Sequence, residues 1–391
     1  MTALMAALFG RMPIGWLQLT HNRTRMAAAL AGVAFANVLV FVQLGLLGAL
    51  NGSIGTSYQL INADIMISSQ DANTLTDGSP IARRLLFQAL GVDGVLDAVP
   101  LYLARLDWTR PDGVTASLQA YALPPEASAF AGARIRDQMT SLSLPERALL
   151  DVKTRGVSAE IIAGLSPETP FKFESNGKTV SVIGSFYLGG SFNSDGNIVV
   201  SDQTFLRLFG QRLSGTPSQI LVKVEPGRDA AEVSGRLASA LAGEPVLVRP
   251  MTVAIAQDLK YQTTKRPTGV IFGFGVFIGI LVGLVIVYQV LATDVADHLR
   301  EYATFKAMGY GHRFFLGIVF EEALVLAVFG FLPGIVLSMG FYAVMAKATG
   351  LPIQMEASRA AIVFFGTIIA CTVSGAIATR RLAGADPADL F

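Results

Sequence analysis

The chain has 391 residues but only one cysteine, Cys371, which excludes an internal disulfide framework and a cysteine metal cluster. Its three histidines, His21, His298 and His312, show no ligand spacing. Charge is scarce, at 15% of residues against about 25% in a usual soluble domain. The formal net charge of +1 offers no basic surface for nucleic acid. A phosphate-binding loop is missing as well. Gly177-Lys178-Thr179 supplies the last letters of that pattern, but Lys172 stands where its first glycine belongs. No Ser/His/Asp or Glu/His constellation occurs, so the chain is not expected to be an enzyme by itself, and it needs no catalytic, cofactor or metal residues of its own.

What the chain does have is apolar length. Hydrophobic residues make up 52% of it, and the mean hydropathy is +0.51. Long apolar segments fall near Met26–Leu50, Gly269–Thr293, Phe314–Ala346 and Ala360–Thr379. A bilayer core takes about 20 apolar residues of helix to cross, and each segment is long enough. The first run is longer than a signal peptide core and starts later, so it reads as an uncleaved anchor. The expected fold is a membrane protein of four transmembrane α-helices in a 1+3 arrangement. A large α+β extracytoplasmic domain is inserted between helices 1 and 2.

Lys and Arg in short loops mark the cytoplasmic side. Arg11, Arg23 and Arg25, then Arg300, Lys306 and Arg313, then Arg380 and Arg381 all fall on one side of four spans. Lys347 and Arg359 occupy the opposite short loop. Lys260, Lys265 and Arg266 conflict, but long domains translocate largely regardless of charge. Both termini are therefore expected in the cytoplasm and residues 52–266 outside.

The resulting plan is an interfacial N-terminal helix in 1–25, span one in 26–51 and the extracytoplasmic domain in 52–266. Span two in 267–293, a cytoplasmic coupling loop in 294–313 and span three in 314–346 follow. A short loop in 347–359, span four in 360–379 and a cytoplasmic tail in 380–391 complete it. In the interfacial helix, Ile14, Trp16 and Leu17 are expected to face lipid and Gln18, Asn22 and Arg25 water.

Within the large domain, strands are expected at Ala63–Ser68, Leu101–Trp108, Asn197–Val200 and Gln219–Val224. Asn176-Gly177 between Phe171–Glu174 and Thr179–Ile183 predicts a hairpin, because both residues tolerate positive φ. Helices are expected at Ile81–Leu90 and Asp229–Ala242, and two subdomains are expected to divide near 125–145. A polar helix over Thr252–Arg266 is expected to run straight into span two. Gly275, Gly279 and Gly283, with Gly330 and Gly334 in span three, make smooth stripes for close helix packing. The partner of those stripes, in this chain or in a second copy, is open at this level. Pro333 predicts a kink.

In the segment DVADHLREYATFKAMGYGHR, Asp294 is placed to cap a helix and Gly309 to end it. Leu299, Tyr302, Phe305 and Met308 form an apolar stripe beside mixed charge, suited to a soluble partner. Glu321 and Glu322 are a candidate intramembrane polar switch, since a carboxylate at bilayer depth costs about 2.5–3.5 kcal/mol on insertion scales. Asn37 and Gln43 are milder cases, with hydrogen bonding between helices as the default.

The 1+3 layout, REYATFKAMGY at Arg300–Tyr310 and FEEALVLAVFGFLPG at Phe320–Gly334 resemble the FtsX/MacB-type ABC transporter permeases. IGWLQLTHNRTRMAAALAGVAFANVLVFVQLG at Ile14–Gly45, RRLLFQA at Arg83–Ala89 and ADPADLF at Ala385–Phe391 are similar to the DevC-like subfamily. The resemblance implies a homodimer whose outer domain corresponds to a MacB-like periplasmic core. A separate cytoplasmic ATPase subunit would bind ATP and Mg, and would dock on Arg300, Glu301, Phe305, Lys306, Met308, Gly309 and Tyr310. It also implies a multi-pass protein of the bacterial inner membrane, in contact with membrane lipid. A membrane-fusion (HlyD-like) adaptor and a TolC-like outer-membrane channel are further implied partners. The implied task is ATP-coupled export of a lipid-like or amphipathic substrate by mechanotransmission. The alternatives are an FtsX-like transmitter that activates a periplasmic hydrolase, or a lipoprotein-releasing permease.

Overall fold

The computed structural model describes residues 14–110, 113–298, 301, 304–305 and 308–378. They form two compact units: a helical bundle of residues 14–47, 271–344 and 353–378, and a sheet domain of residues 48–270 and 345–352.

In the bundle, α1 is Ile14–His21 and α2 is Arg23–Tyr58. Asn22 separates them and caps α2, its Oδ1 accepting the Arg25 N–H at 3.2 Å. The other long helices are Pro267–Asp297, His312–Thr349 and Ala357–Ala378, here α8, α9 and α10 in chain order. Among the described residues, four helices are long and apolar enough to cross a membrane: Arg23–Tyr58, Pro267–Asp297, Phe314–Thr349 and Ala357–Ala378. Pro333 sits inside α9, and the helix continues through it. Asp294 lies within α8 rather than at a helix start, so its expected capping role does not hold. The apolar periodicity before it simply carries the helix one turn further.

The sheet domain lies between α2 and α8 in chain order. Its strands are β1 Ile65–Ser69, β2 Val95–Thr109, β3 Thr115–Leu123, β4 Arg147–Asp151, β5 Phe171–Ser175, β6 Lys178–Phe186, β7 Gly196–Ser201, β8 Gln219–Val224 and β9 Val246–Pro250. They form one mixed sheet in the order β5-β6-β4-β7-β3-β2-β8-β1-β9. β3–β7 and β4–β6 are parallel, and every other pairing is antiparallel. The hairpin at Asn176-Gly177 forms as expected, with φ of 50° and 67° at its two residues.

Helices α3 (Arg84–Leu90), α5 (Asp202–Leu208), α6 (Ala230–Ala240) and α7 (Met251–Thr264) pack on the sheet, and α4 (Ala159–Ala163) is a short turn. Asp229 caps α6 by accepting the Ala231 N–H at 3.0 Å.

The domain divides, but not near 125–145. Strand β2 is 15 residues long and pairs with β8 through Val95–Leu101, then with β3 through Tyr102–Thr109. One apolar core gathers Ile65, Leu85, Val222 and Leu237 around the first half. A second gathers Tyr102, Trp108, Val182 and Phe205 around the rest. Each core draws on distant chain segments, which a linear reading cannot join.

The expected straight run into span two is also corrected. Helix α7 stops at Thr264, and α8 begins afresh at Pro267, which has no N–H to donate back. The Lys265 and Arg266 N–H groups both turn back to the Tyr261 carbonyl, at 2.8 and 3.1 Å.

Gly132 shows how tightly the domain closes on its first segment. Its N–H donates to the Leu60 carbonyl at 2.9 Å, and a Cβ there would lie 1.8 Å from the Gln59 carbonyl oxygen. Gly132→Ala is expected to destabilise the protein by about 1–3 kcal/mol through backbone displacement. A lower melting temperature of the detergent-solubilised chain checks this, and an unchanged one contradicts it.

Candidate functional site

The expected coupling segment is described in part. Arg300 and Lys306 lie outside the described residues, as do Leu299 and Tyr302. Glu301 is exposed, and its Oε2 accepts a hydrogen bond from Gln18 Nε2 on α1 at 3.1 Å. Gly309 has φ +93°, and the Tyr310 N–H returns to the Phe305 carbonyl at 3.1 Å. This is the helix stop expected of a glycine in the left-handed region.

The segment's large apolar residues split into two roles. Phe305 is half-buried and packs against Tyr310 and Phe314, with ring centroids 5.8 and 5.7 Å away. Together with Ile14 and Phe314 it rests on a buried cluster of Val295, Phe315, Ile318 and Val319. Met308 and Tyr310 are 60% and 46% exposed and present the segment's outward face. Phe305 therefore holds the loop to the bundle, and Met308 and Tyr310 are the groups a partner can reach.

Glu321 and Glu322, 1% and 0% exposed, meet α1. Glu321 Oε1 accepts the Trp16 N–H at 3.1 Å. That N–H belongs to the first turn of α1, which has no partner within its own helix, and a carboxylate there also suits the helix dipole. Gly15 makes the approach feasible. A Cβ on it would come within 2.9 Å of both the Ile318 carbonyl oxygen and Glu322 Cγ. Trp16 packs its ring 5.7 Å from that of Phe329, and Leu19 is buried in the bundle core.

The expectation that Ile14 and Trp16 face lipid is thereby corrected: they pack on the bundle, and Leu17 is the exposed apolar residue of α1. The Glu321 carboxylate, bonded to the Trp16 N–H, and the small Gly15 beside it let the start of α1 pack inward. The side chain of Arg313 lies outside the described residues.

The glycine stripes find their partner within the chain. Cβ atoms on Gly275, Gly279 and Gly283 of α8 would meet Gln43, Val40 and Ala36 of α2, at 2.4, 3.2 and 3.2 Å. Those on Gly330 and Gly334 of α9 would meet Val33 and Asn37 of α2, at 2.7 and 2.9 Å. All five glycines serve one helix, α2.

Residues 273–387 match the family model for the FtsX-like permease C-terminal domain. This part of the chain is similar to FtsX-like permease C-terminal domains. The match takes in most of α8, the expected coupling segment, α9 and α10. No curated protein matches the chain.

Three solved structures are similar to parts of it. The extracellular domain of the noncanonic ABC-type transporter YknZ from Gram-positive bacteria is 14% identical, covers 48% of this chain and 98% of its own, and has a TM-score of 0.33. The periplasmic region of MacB from Actinobacillus actinomycetemcomitans is 12% identical, covers 52% and 94%, and scores 0.34. A domain of a putative permease protein from Porphyromonas gingivalis is 13% identical, covers 49% and 88%, and scores 0.31.

The sheet domain holds a buried polar centre that the sequence reading passed over. Asp258 on α7 is 2% exposed. Its Oδ2 accepts from the Tyr58 hydroxyl at 2.9 Å and the Leu75 N–H at 2.8 Å, and its Oδ1 accepts from Gln262 Nε2 at 2.6 Å. It lines a cavity of about 30 Å³ with Ser53, Ser57, Gln119, Tyr121 and Asn197. Asp and Gln four residues apart on a polar helix were the available signal, and nothing linked them to Tyr58, 200 positions away.

Two predictions follow from these sites. Burial pushes the Asp258 carboxyl above its ordinary range, outweighing the donors from Gln262, Leu75 and Tyr58. A raised folded-state pKa means that the neutral form stabilises the fold, fully below about pH 4, and that this stabilisation is lost as pH rises through the raised value. Asp258→Asn is therefore expected to melt above the wild type at pH 7, with the gap closing toward pH 4. A gap that stays constant or reverses contradicts the assignment.

For α1, Glu321→Leu removes the acceptor for the Trp16 N–H and is expected to speed amide exchange of residues 14–21 by roughly fivefold, since such caps contribute about 1 kcal/mol. Glu321→Gln, which keeps an acceptor oxygen, should change it little. Equal exchange in all three proteins would show that Glu321 does not hold α1.

Proposed function

We propose that the chain is the permease subunit of an ATP-driven ABC exporter of the DevC-like branch. The observation that carries this reading is the division of labour in the coupling segment. Phe305 ties the loop to the buried cluster under α1, while Met308 and Tyr310 stand exposed at its tip. A segment anchored on one side and apolar on the other is suited to receive a moving soluble subunit. The FtsX-like permease domain match across this segment supports it.

In this reading a separate cytoplasmic ATPase binds ATP and Mg and docks on residues 300–310, among them Glu301, Met308 and Tyr310. The permease works as a homodimer in the inner membrane, with both termini cytoplasmic and the sheet domain periplasmic. A HlyD-like adaptor and a TolC-like channel carry a lipid-like or amphipathic substrate onward. The chain itself contributes no nucleotide chemistry; it passes movement from the coupling segment through the bundle.

The test is co-purification of the tagged, mildly solubilised protein from its native membrane, with partners identified by mass spectrometry. The wild type is expected to retain an ATPase and an adaptor. Met308→Asp should lower ATPase recovery at least roughly tenfold, the scale of burying one unpaired charge in an interface, without lowering the melting temperature; Tyr310→Asp, which also removes ring contacts with Phe305 and Phe314, should lower both. Phe305→Asp should lower both. Absence of any ATPase from the wild-type eluate, where one is present in the membrane, overturns the proposal.

A further inference from the structure

The cavity of about 30 Å³ beside Asp258 is lined by acceptors. Among its walls are Gln119, Asn197 and Gln262, which are 8%, 2% and 7% exposed. Their amide nitrogens are all committed. Gln119 Nε2 donates to the Ala104 carbonyl at 3.1 Å, Asn197 Nδ2 to Asp151 Oδ2 at 3.0 Å, and Gln262 Nε2 to Asp258 Oδ1 at 2.6 Å. Carbonyls and carboxylates only accept, so turning any of these amides over would set oxygen against oxygen. The three amide oxygens are thereby fixed in place. None of them receives a hydrogen bond from a described residue. Each also keeps accessible surface, on a residue that borders the cavity, so none is sealed away from an occupant.

The hydroxyls on the same walls do not serve these oxygens. Ser53 Oγ donates to the Leu50 carbonyl at 2.8 Å, and Ser57 Oγ donates to the Ser53 carbonyl at 3.1 Å. Both have spent their protons and have only lone pairs left to offer. The Tyr121 hydroxyl also lines the cavity, and its single proton cannot satisfy three oxygens.

Asp258 adds a charge to this set. Its three donors, from Tyr58, Leu75 and Gln262, are neutral, and among the described residues it forms no ion pair. Arg249 bears on it electrostatically but commits its guanidinium to Gln257 and Ser68. A buried charge is ordinarily paired or bound to a metal ion.

Size and charge narrow the occupant. One water needs about 10–15 Å³ of such space, so the cavity holds about two water-sized bodies and no organic molecule. Water would supply donors but leave the carboxylate without a countercharge. Oxygen ligands select a hard cation. Among the described residues no three His, Cys, Asp or Glu side chains gather to hold a divalent or transition metal ion. One carboxylate with neutral oxygens balances a single positive charge.

We infer that this cavity binds a monovalent alkali cation, sodium or potassium, held by Asp258 and the amide oxygens of Gln119, Asn197 and Gln262. The site lies within the sheet domain and shares no residue with the coupling segment, so it stands or falls independently of any ATPase.

The experiment follows the melting temperature of the full chain in nanodiscs at pH 7. N-methylglucamine chloride is replaced stepwise by sodium chloride or potassium chloride at constant ionic strength. A ligand of the folded state raises the melting temperature with its concentration. The wild type is expected to respond to at least one of the two ions, and the stronger response names the ion. In N-methylglucamine chloride Asp258→Asn should melt above the wild type, and the alkali cation should close that gap by raising the wild type alone. Gln119→Leu should shift the wild-type response to roughly tenfold higher cation concentration or beyond, the scale of one bond to a charged group. Equal melting of the wild type in all three salts overturns the inference and leaves the cavity to water. A cation response that survives intact in Asp258→Asn overturns it as well. So does a response confined to magnesium chloride that Asp258→Asn removes, which would make the site divalent.

Discussion

The bundle depends on one close approach, that of α2 to its neighbours. Lipid tails are as apolar as leucine, so helices in a bilayer gain little from hiding apolar surface from each other. What holds them is contact, and contact at backbone distance needs positions without side chains. The chain supplies them on both partners of α2: Gly275, Gly279 and Gly283 from α8, Gly330 and Gly334 from α9. Gly45 of α2 returns the favour, lying under the Tyr342 ring whose hydroxyl donates to the Phe41 carbonyl. A helix gripped from several sides in this way has its face toward α10 fixed as well.

The same logic operates at the end of the bundle that carries the coupling segment. Gly15 lets the start of α1 settle against α9, and Glu321 then receives an N–H that no other group of the helix could satisfy. Two carboxylates at this depth would be costly as isolated charges. Their placement beneath a helix N-terminus gives at least one of them a defined use. One polar link runs from α1, Gln18 to Glu301, and a second runs from the start of α2, Arg25 to Asp297 at the end of α8. Helix α1 therefore touches both α9, through Glu321, and the segment that follows α8, through Glu301.

The large features were legible in the sequence because they are local. Four apolar runs of sufficient length, the Asn176-Gly177 hairpin and the Gly309 stop each follow from a few adjacent residues. The glycine stripes were legible as stripes, but their partner was not, since nothing in the spacing of Gly275, Gly279 and Gly283 names Gln43, Val40 and Ala36. The subdomain division failed for the same reason: β2 serves two cores, and the residues that close the first come from opposite ends of the domain, on either side of the stretch that builds the second. The expectation for α1 failed more instructively. Periodicity assigned Ile14 and Trp16 to lipid, and two glutamates some three hundred positions away assigned them to protein. Asn37 was noticed as polar in an apolar run, but Thr367, whose hydroxyl lies 2.6 Å from its Oδ1, gave no signal.

The break between α7 and α8 bears on how movement can pass through such a chain. A continuous helix from the sheet domain into the bundle would behave as a stiff rod. Here Lys265 and Arg266 both turn back onto the Tyr261 carbonyl, and Pro267 starts a new helix without an N–H to extend the old one. The joint is nonetheless closed rather than loose. A Cβ on Gly269 would fall 2.2 Å from the Gln262 carbonyl oxygen, so the first turn of α8 is pressed against the last turn of α7. Gln262 in turn donates to Asp258, which also holds Tyr58 at the end of α2 and the backbone of Leu75. The buried carboxylate thus ties α7 to Tyr58 at the end of α2 and to the loop after β1.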